Sequence, residues 1–431
     1  MNAMTLSRRG LIGSFGALAG SALVPRAAFA SAAAEARFPA VSRMIEGYVG
    51  SGKLPGMIAA LGAGSSAAPL DIARGTLAKI SQTPVDMDSL FRIYSMTKPI
   101  TGMAAMMLVD EGKLRLDQPI ADLIPAFAKL QVQVTPDGSI TDLRPAKAQI
   151  TVRHLLTHTS GLGYSIIQKG PIKDAYIKAG LVPGRASRMP LPGLEGFKPL
   201  ANLAQFTEVL ATMPLVYEPG SVWSYSVGLD VMGRLIEMVS GQPFDQFLQD
   251  RLFAPAGMDS TWFRVPEAQV ARLTTNYAVA AGMLLPIDPG RSSIYLDAPP
   301  CPFGGAGLVS SPRDYDRFLR MLLGFGKIEG RQVMSEAAVR LGTSNLLPEG
   351  ADVSQSFIKG NGFGAGGSVG LGEDAGTYGW GGAAGTVAFV NYRAGIRAGL
   401  YTQYMPAETY PVHREFAQAV LADVTGKKAA V

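Results

Sequence analysis

Apolar positions along this chain keep a helical rhythm through its middle and a strand rhythm near both ends. FPAVSRMIEGYVGSG (38–52) repeats apolar residues at three- and four-residue spacing and stops at glycine, which predicts a helix. GMIAALGAG (56–64) and LDIARGTL (70–77) read as strands, and DSLFRIY (88–94) as a third. Helical patterns follow in TGMAAMMLVDEGKL from Thr101, TVRHLLTHTSG from Thr151, LAQFTEVLATMP from Leu203 and VGLDVMGRLIEMVSG from Val227. Two more are PFDQFLQDRLFAPAG from Pro243 and PRDYDRFLRMLLGFG from Pro312. Strand patterns return between Gly362 and Met405, in GFGAGGSVGLG, TYGWGGAAGTVAFVNY and AGIRAGLYTQYM. YPVHREFAQAVLADV, from Tyr410, is the last helix.

Strands at both ends with helices between them predict an α+β fold whose sheet is built from residues 31–94 and 350–431. A mostly helical unit, 95–349, is inserted between those halves. Within it, segment 165–200 is rich in Gly, Pro and Lys with weak periodicity and reads as a lid or flap. NYAVAAGMLLPIDPGRSSIY (276–295) is expected to shape the pocket with it.

The chain has 431 residues, 47% hydrophobic and only 17% charged, which suits a large core and excludes disordered or coiled-coil classes. Residues 1–30 hold Arg8, Arg9 and Arg26 and no acid, then an apolar run from Leu11 to Val24 and the ending Ala28-Phe29-Ala30. That is the pattern of an export signal, with Arg8-Arg9 like a twin-arginine signal, cleaved near Ala30 into the periplasm or medium. The apolar run is too short for stable membrane insertion. Removing the three arginines of this leader lowers the formal charge from +5 to +2. So small a charge, with no basic patch, argues against nucleic acid as a partner. The one cysteine, Cys301, has no activating cation beside it and reads as structural. With three histidines and no Cys/His cluster of ligand spacing, no metal is expected.

The chemistry begins in FRIYSMTKPITG, where Ser95 and Lys98 lie three residues apart at the mouth of an apolar helix. A serine hydroxyl is a poor nucleophile until a base takes its proton. A neighbouring amine serves if its surroundings discourage the ammonium. The helix start adds a positive dipole end that favours developing negative charge at Oγ. S-x-x-K alone also fits a capping serine beside a surface lysine, so further elements are needed. Tyr225, in SVWSYSVGLD, is one: a phenol near a cation can share the proton of the cluster. Read blandly, it is a half-buried aromatic. The other is YGWGGAAGT (378–386), whose Gly381-Gly382 pair lets a strand approach a ligand closely or merely bend. The Ala383 amide could there join that of Ser95 in an oxyanion hole.

SMTK, YSV and WGGAAGT, in that order, resemble the three motifs of family VIII carboxylesterases, which share their fold with class C β-lactamases and penicillin-binding proteins. ITVRHLLTHTSGL and GGAGLVSSPRDYDRFLRMLL also look like shared stretches, and the resemblance runs from Phe38 to Val424. It implies a β-lactamase/transpeptidase-like fold: an antiparallel sheet flanked by terminal helices, with an inserted helical domain. It implies Ser95 as acylated nucleophile, Lys98 and Tyr225 as the proton-handling pair, and Trp380-Gly381-Gly382 as the facing wall. Which of the pair is the formal base stays open. The resemblance puts Val227 at a substrate-binding position with Trp380, Gly381 and Gly382; Val227 stands where class C β-lactamases carry asparagine, and Trp380-Gly381-Gly382 where they carry Lys-Thr-Gly. Both departures favour an uncharged small-molecule ester over a β-lactam, which would be turned over weakly. No cofactor is implied. The rivals are a β-lactamase or D-Ala-D-Ala peptidase, an acyltransferase and a non-catalytic cell-wall binder.

Other patterns are decoys. GGSVG around Ser368 matches a nucleophile elbow, but no helix follows it. Gly362, Gly364 and Gly367 match a dinucleotide fingerprint with no helix opening there. GYVGSGKL nearly matches a phosphate-binding loop but is a helix end, and His154 and His158 read as structural.

Overall fold

The computed structural model describes residues 26–189, 193–194 and 197–426. The expected leader therefore lies outside the described residues up to its last five, which begin helix α1 (Arg26–Arg37). Part of the expected lid is likewise outside them. Helix α2 (Pro39–Val49) follows, with proline in its first turn where no donor is lost. Strands β1 (Gly56–Ala63) and β2 (Leu70–Gly75) come next.

Three helices matter for the site: α3 (Thr97–Asp110), α4 (Gly228–Ser240) and α5 (Pro312–Leu323). The chain then returns to strands β3 (Gly362–Phe363), β4 (Ser368–Val369), β5 (Thr377–Gly381), β6 (Val387–Asn391) and β7 (Ile396–Tyr401). Helix α6 (Val412–Thr425) ends at Gly426, whose left-handed backbone stops it. The sheet order is β3-β4-β5-β6-β7-β1-β2, antiparallel throughout, so the two ends of the chain meet where β7 pairs with β1.

β1 has six buried residues in a row because both faces of the sheet are covered. Met57, Ala59 and Leu61 point to the terminal helices, against Val41, Ile45 and Phe416. Ile58 and Ala60 point the other way, into the core shared with the central helices. Helix α3 runs through that core and is buried on every side from Thr97 to Leu108, which explains its lack of a polar face.

Two local outcomes differ from the periodicity. DSLFRIY was expected as a third strand; only Phe91–Arg92 is extended, and it pairs with Val309–Ser310 outside the main sheet. Its apolar residues are buried by packing, not by a ladder. Residues 276–295 hold a hairpin, Asn276–Ala280 with Met283–Asp288, which Tyr404–Met405 extends to three strands. Helix α5 lies on the sheet, where Asp316 pairs with Arg397 of β7 at 2.7 Å.

Candidate active site

Ser95 sits in a short turn, Tyr94–Met96, that feeds directly into α3. Tyr94 has φ +42°, an uncommon backbone for a non-glycine residue, and is held by its surroundings. Its hydroxyl accepts from Asn276 Nδ2 at 3.2 Å and its ring meets Tyr295 edge-on. Ser95 is half-buried.

One turn on, Lys98 is fully enclosed (0% exposed). Its ammonium donates to the Gly305 carbonyl at 2.7 Å and lies 3.3 Å from Ser95 Oγ. It also sits 4.4 Å from the centroid of the Tyr225 ring and 5.8 Å from that of Tyr164. The glycines of GGSVG have a packing role. A Cβ on Gly366 would stand 2.3 Å from the Lys98 carbonyl, and one on Gly102 2.0 Å from that of Ala365. The β3–β4 turn thus interlocks with the first turns of α3.

Tyr225 is carried by the extended segment before α4. Trp223 N–H donates to Asp352 O at 2.9 Å, and Ser224 N–H to His158 O at 2.9 Å. Ser226 N–H donates to His158 Nδ1 at 3.2 Å, and the His158 ring lies 4.6 Å from that of Tyr225. Burial, helped by the Lys98 charge, pushes His158 well below the ordinary imidazole range, so it is a neutral brace. His154 completes a capping box with Thr151 and burial takes it down to about 4.

The three distant pieces converge, with one departure from the expected geometry. Lys98 faces the plane of the Tyr225 ring, and the hydrogen bond to the Tyr225 hydroxyl comes from the Trp380 indole, Nε1 at 3.1 Å. Trp380 is the next-to-last residue of β5, followed by Gly381 and Gly382. A Cβ on Gly382 would fall 2.4 Å from the Ile93 carbonyl, so only glycine lets this strand end reach the turn carrying Ser95. Gly382 N–H donates to Thr386 O at 2.6 Å, closing the loop that holds Ala383. Among the described residues, no hydrogen-bond partner occupies the Ser95 or Ala383 amide. Val227 is wholly enclosed and offers no surface to a ligand; its place is the core under α4.

Asp230 was not singled out from sequence. It is 1% exposed, accepts from Gly305 N–H at 2.9 Å, and so anchors the residue whose carbonyl holds Lys98. Burial pushes its carboxyl up to about 6, against the pull of Lys98 and of that amide. Between pH 4 and 6 the unfolded chain loses this proton while the folded one keeps it, so the group costs stability as pH rises. Asp230→Asn cannot titrate. Its unfolding free energy relative to the parent is expected to gain about 2 kcal/mol from pH 4 to pH 7. Urea unfolding at both pH values measures this, and a pH-independent difference would contradict it.

Cys301 is buried, its thiol pushed up to about 12 by burial, and it is inert in this state. Ser368 lies in β4 opposite Gly379, with no histidine hydrogen-bonded to it among the described residues. Also among the described residues, no cluster of His, Cys, Asp and Glu could hold a metal, and no helix is long and apolar enough to cross a membrane.

The family model described as Beta-lactamase matches residues 41–422. The chain belongs to the Beta-lactamase family. Esterase EstB of Burkholderia gladioli is 30% identical over 357 residues, covering 77% of this chain and 81% of its own. Protein Rv1367c of Mycobacterium tuberculosis is 38% identical over 285 residues, 65% of this chain, and the match spans 66% of that protein's length. Among solved structures, EstCE1, a hydrolase with promiscuous acyltransferase activity, superposes with TM-score 0.71 at 26% identity. That superposition covers 90% of this chain and all of EstCE1. The chain is thus a Beta-lactamase-family protein of the β-lactamase/penicillin-binding-protein fold. Its relatives include esterases and acyltransferases.

Proposed function

We propose that this Beta-lactamase-family protein hydrolyses neutral carboxylic esters through an acyl-enzyme on Ser95. The observation that carries the reading is the placement of one enclosed ammonium, Lys98, within 3.3 Å of Ser95 Oγ and against the Tyr225 ring. Ser95 Oγ attacks the ester carbonyl while its proton passes to the Lys98–Tyr225 pair, which accepts it in the state one proton short of ammonium plus phenol. Negative charge gathering on the carbonyl oxygen is met by the Ser95 and Ala383 amides. The pair returns the proton to the departing alcohol, and water then repeats the sequence in reverse to free the acid. The Trp380 indole N–H, aimed at the Tyr225 oxygen, supports that oxygen whenever it carries negative charge.

Trp380 supplies no cation to greet a β-lactam carboxylate, and Val227, enclosed in the core, presents nothing to a ligand. The expected result is therefore rapid turnover of short acyl esters and far slower opening of nitrocefin. A fluorophosphonate probe should add one group, and peptide mass mapping should place it on Ser95. Label on another serine, or none in a protein that cleaves esters, would reject the assignment.

A second reading, transfer of the acyl group to an alcohol instead of water, is favoured by the rings around Tyr225: His158, Tyr164, Trp223, Phe357 and Trp380. Such walls disfavour water and accept an organic acceptor. Product analysis with added alcohols separates the two. Export through residues 1–30 belongs to the same proposal, and a mature N-terminus near Ser31 is its readout.

A further inference from the structure

Phe357 is anomalous: a large aromatic side chain, 64% exposed, in ring contact with the candidate active site. Its centroid lies 5.6 Å from Tyr225 at 71° and 4.8 Å from Trp223 at 85°. It lies 5.8 Å from Trp380 at 35°. The residue is not on a free arm. Its loop is tied to the segment that carries Tyr225, because Asp352 N–H donates to Ser221 O at 2.8 Å and Trp223 N–H returns the bond to Asp352 O. Ser356 N–H closes a turn on Val353 O, and the next residue, Ile358, is sunk into the core at 2% exposure. The same loop therefore buries one apolar side chain and displays its neighbour. Phe357 and Tyr225 are held as a pair.

The geometry fixes which side of Phe357 is available. A ring inserted between two others needs about 7 Å from centroid to centroid, two contacts of about 3.5 Å each. The 5.8 Å between Phe357 and Trp380 excludes that. A ligand would lie on the outer face of Phe357, which is the exposed one. Trp223, Tyr225, Phe357, Phe363 and Trp380 make an apolar, aromatic surround, and Lys98, 4.4 Å from the Tyr225 centroid, is enclosed beneath that ring. Such a surface recognises a flat neutral group by stacking and area burial.

We propose that Phe357 is the platform that selects esters whose alcohol half is flat and apolar, an aryl alcohol, over small alkyl esters. The inference rests on the acyl-enzyme reading at Ser95. The alcohol half is assigned because Phe357 touches Tyr225, a member of the pair that hands the proton to the departing oxygen. By microscopic reversibility, the same platform receives an acceptor alcohol when the acyl group is transferred.

The test holds the acyl group constant and varies the alcohol: 2-naphthyl, phenyl and ethyl acetate, followed by proton release. In Phe357→Ala the ratio of kcat/KM for 2-naphthyl acetate to that for ethyl acetate is expected to fall about tenfold, mostly through KM. Phe357→Trp should keep the ratio. A parallel series with ethanol as the constant alcohol and acyl chains of two to eight carbons should show no such selective loss. Equal losses on aryl and alkyl acetates, or a loss that follows the acyl chain, would overturn the proposal. Fluorophosphonate labelling of Ser95 in each variant separates the two readings. Labelled protein without the discrimination removes only the role of Phe357, while failure to label removes the acyl-enzyme reading beneath it.

Discussion

Ser95→Ala is expected to lose ester turnover by a factor of about 10⁴ or more while keeping its unfolding midpoint. The loss is large because members of a nucleophile–base unit do not act independently, and removing the nucleophile forfeits nearly all that the unit supplies. Whatever remains would come from the Ser95 and Ala383 amides polarising the ester for attack by water. Stability should hold because the Ser95 hydroxyl makes one long contact, 3.3 Å to Lys98, whose stronger partner is the Gly305 carbonyl at 2.7 Å. Alanine at a half-buried turn position leaves no large cavity. The check is kcat on an activated ester beside a thermal melt of the same preparation. A variant retaining a tenth of the activity would move the chemistry elsewhere. A variant that lost activity by unfolding would make the hydroxyl structural.

The parts of this site legible in the sequence are those whose chemistry is local or motif-borne. Ser95 and Lys98 share a helix turn, so their proximity follows from a spacing of three. Tyr225 and the Trp380-Gly381-Gly382 run were found through their motif patterns, and the fold brings both to Lys98 or to its partner ring. The sheet was legible too, because strand-like runs in β1–β2 and β5–β7 sit at opposite ends of the chain with helical rhythm between. What escaped depends on groups without a side-chain signature or on tertiary burial. The acceptor for Lys98 is a backbone carbonyl, Gly305, that no residue type announces. Asp230, in the first turn of α4, is enclosed beneath the site, which its place in the helical pattern does not reveal. Phe357 carries no sequence signal of its own, and its loop turns it outward. Val227 was read as facing substrate from its place in a motif, and helix packing takes it into the core. GGSVG resembled a nucleophile elbow because glycines serve tight packing and tight turns alike.

The geometry of Ser95 also depends on a charge pair that sequence pattern does not reveal. Arg92, two residues before Tyr94, is fully enclosed and donates through Nε to Asp288 Oδ2 at 2.6 Å. Its other donors reach Thr274 O, Asp288 O, Ser293 Oγ and Gln403 Oε1. Asp288 accepts in addition from Ser293 Oγ at 2.6 Å and from Ile294 N–H at 2.9 Å. The pair therefore bolts the approach to Ser95 onto the 276–288 hairpin. Asp288→Ala would leave a guanidinium enclosed and unpaired, at a cost of about 3–5 kcal/mol of unfolding free energy. Activity should fall with it, since Tyr94 takes its support from Asn276 on the same hairpin.

Arg313 and Asp88 provide the internal comparison, with the same 2.6 Å separation but each side chain 52% exposed. Water already solvates those charges, so Asp88→Ala should cost about 0–1 kcal/mol. Urea unfolding of the two variants side by side measures the contrast. Equal costs would mean that burial does not set the worth of the Arg92–Asp288 pair, and the role given to it in holding the nucleophile's turn would fail.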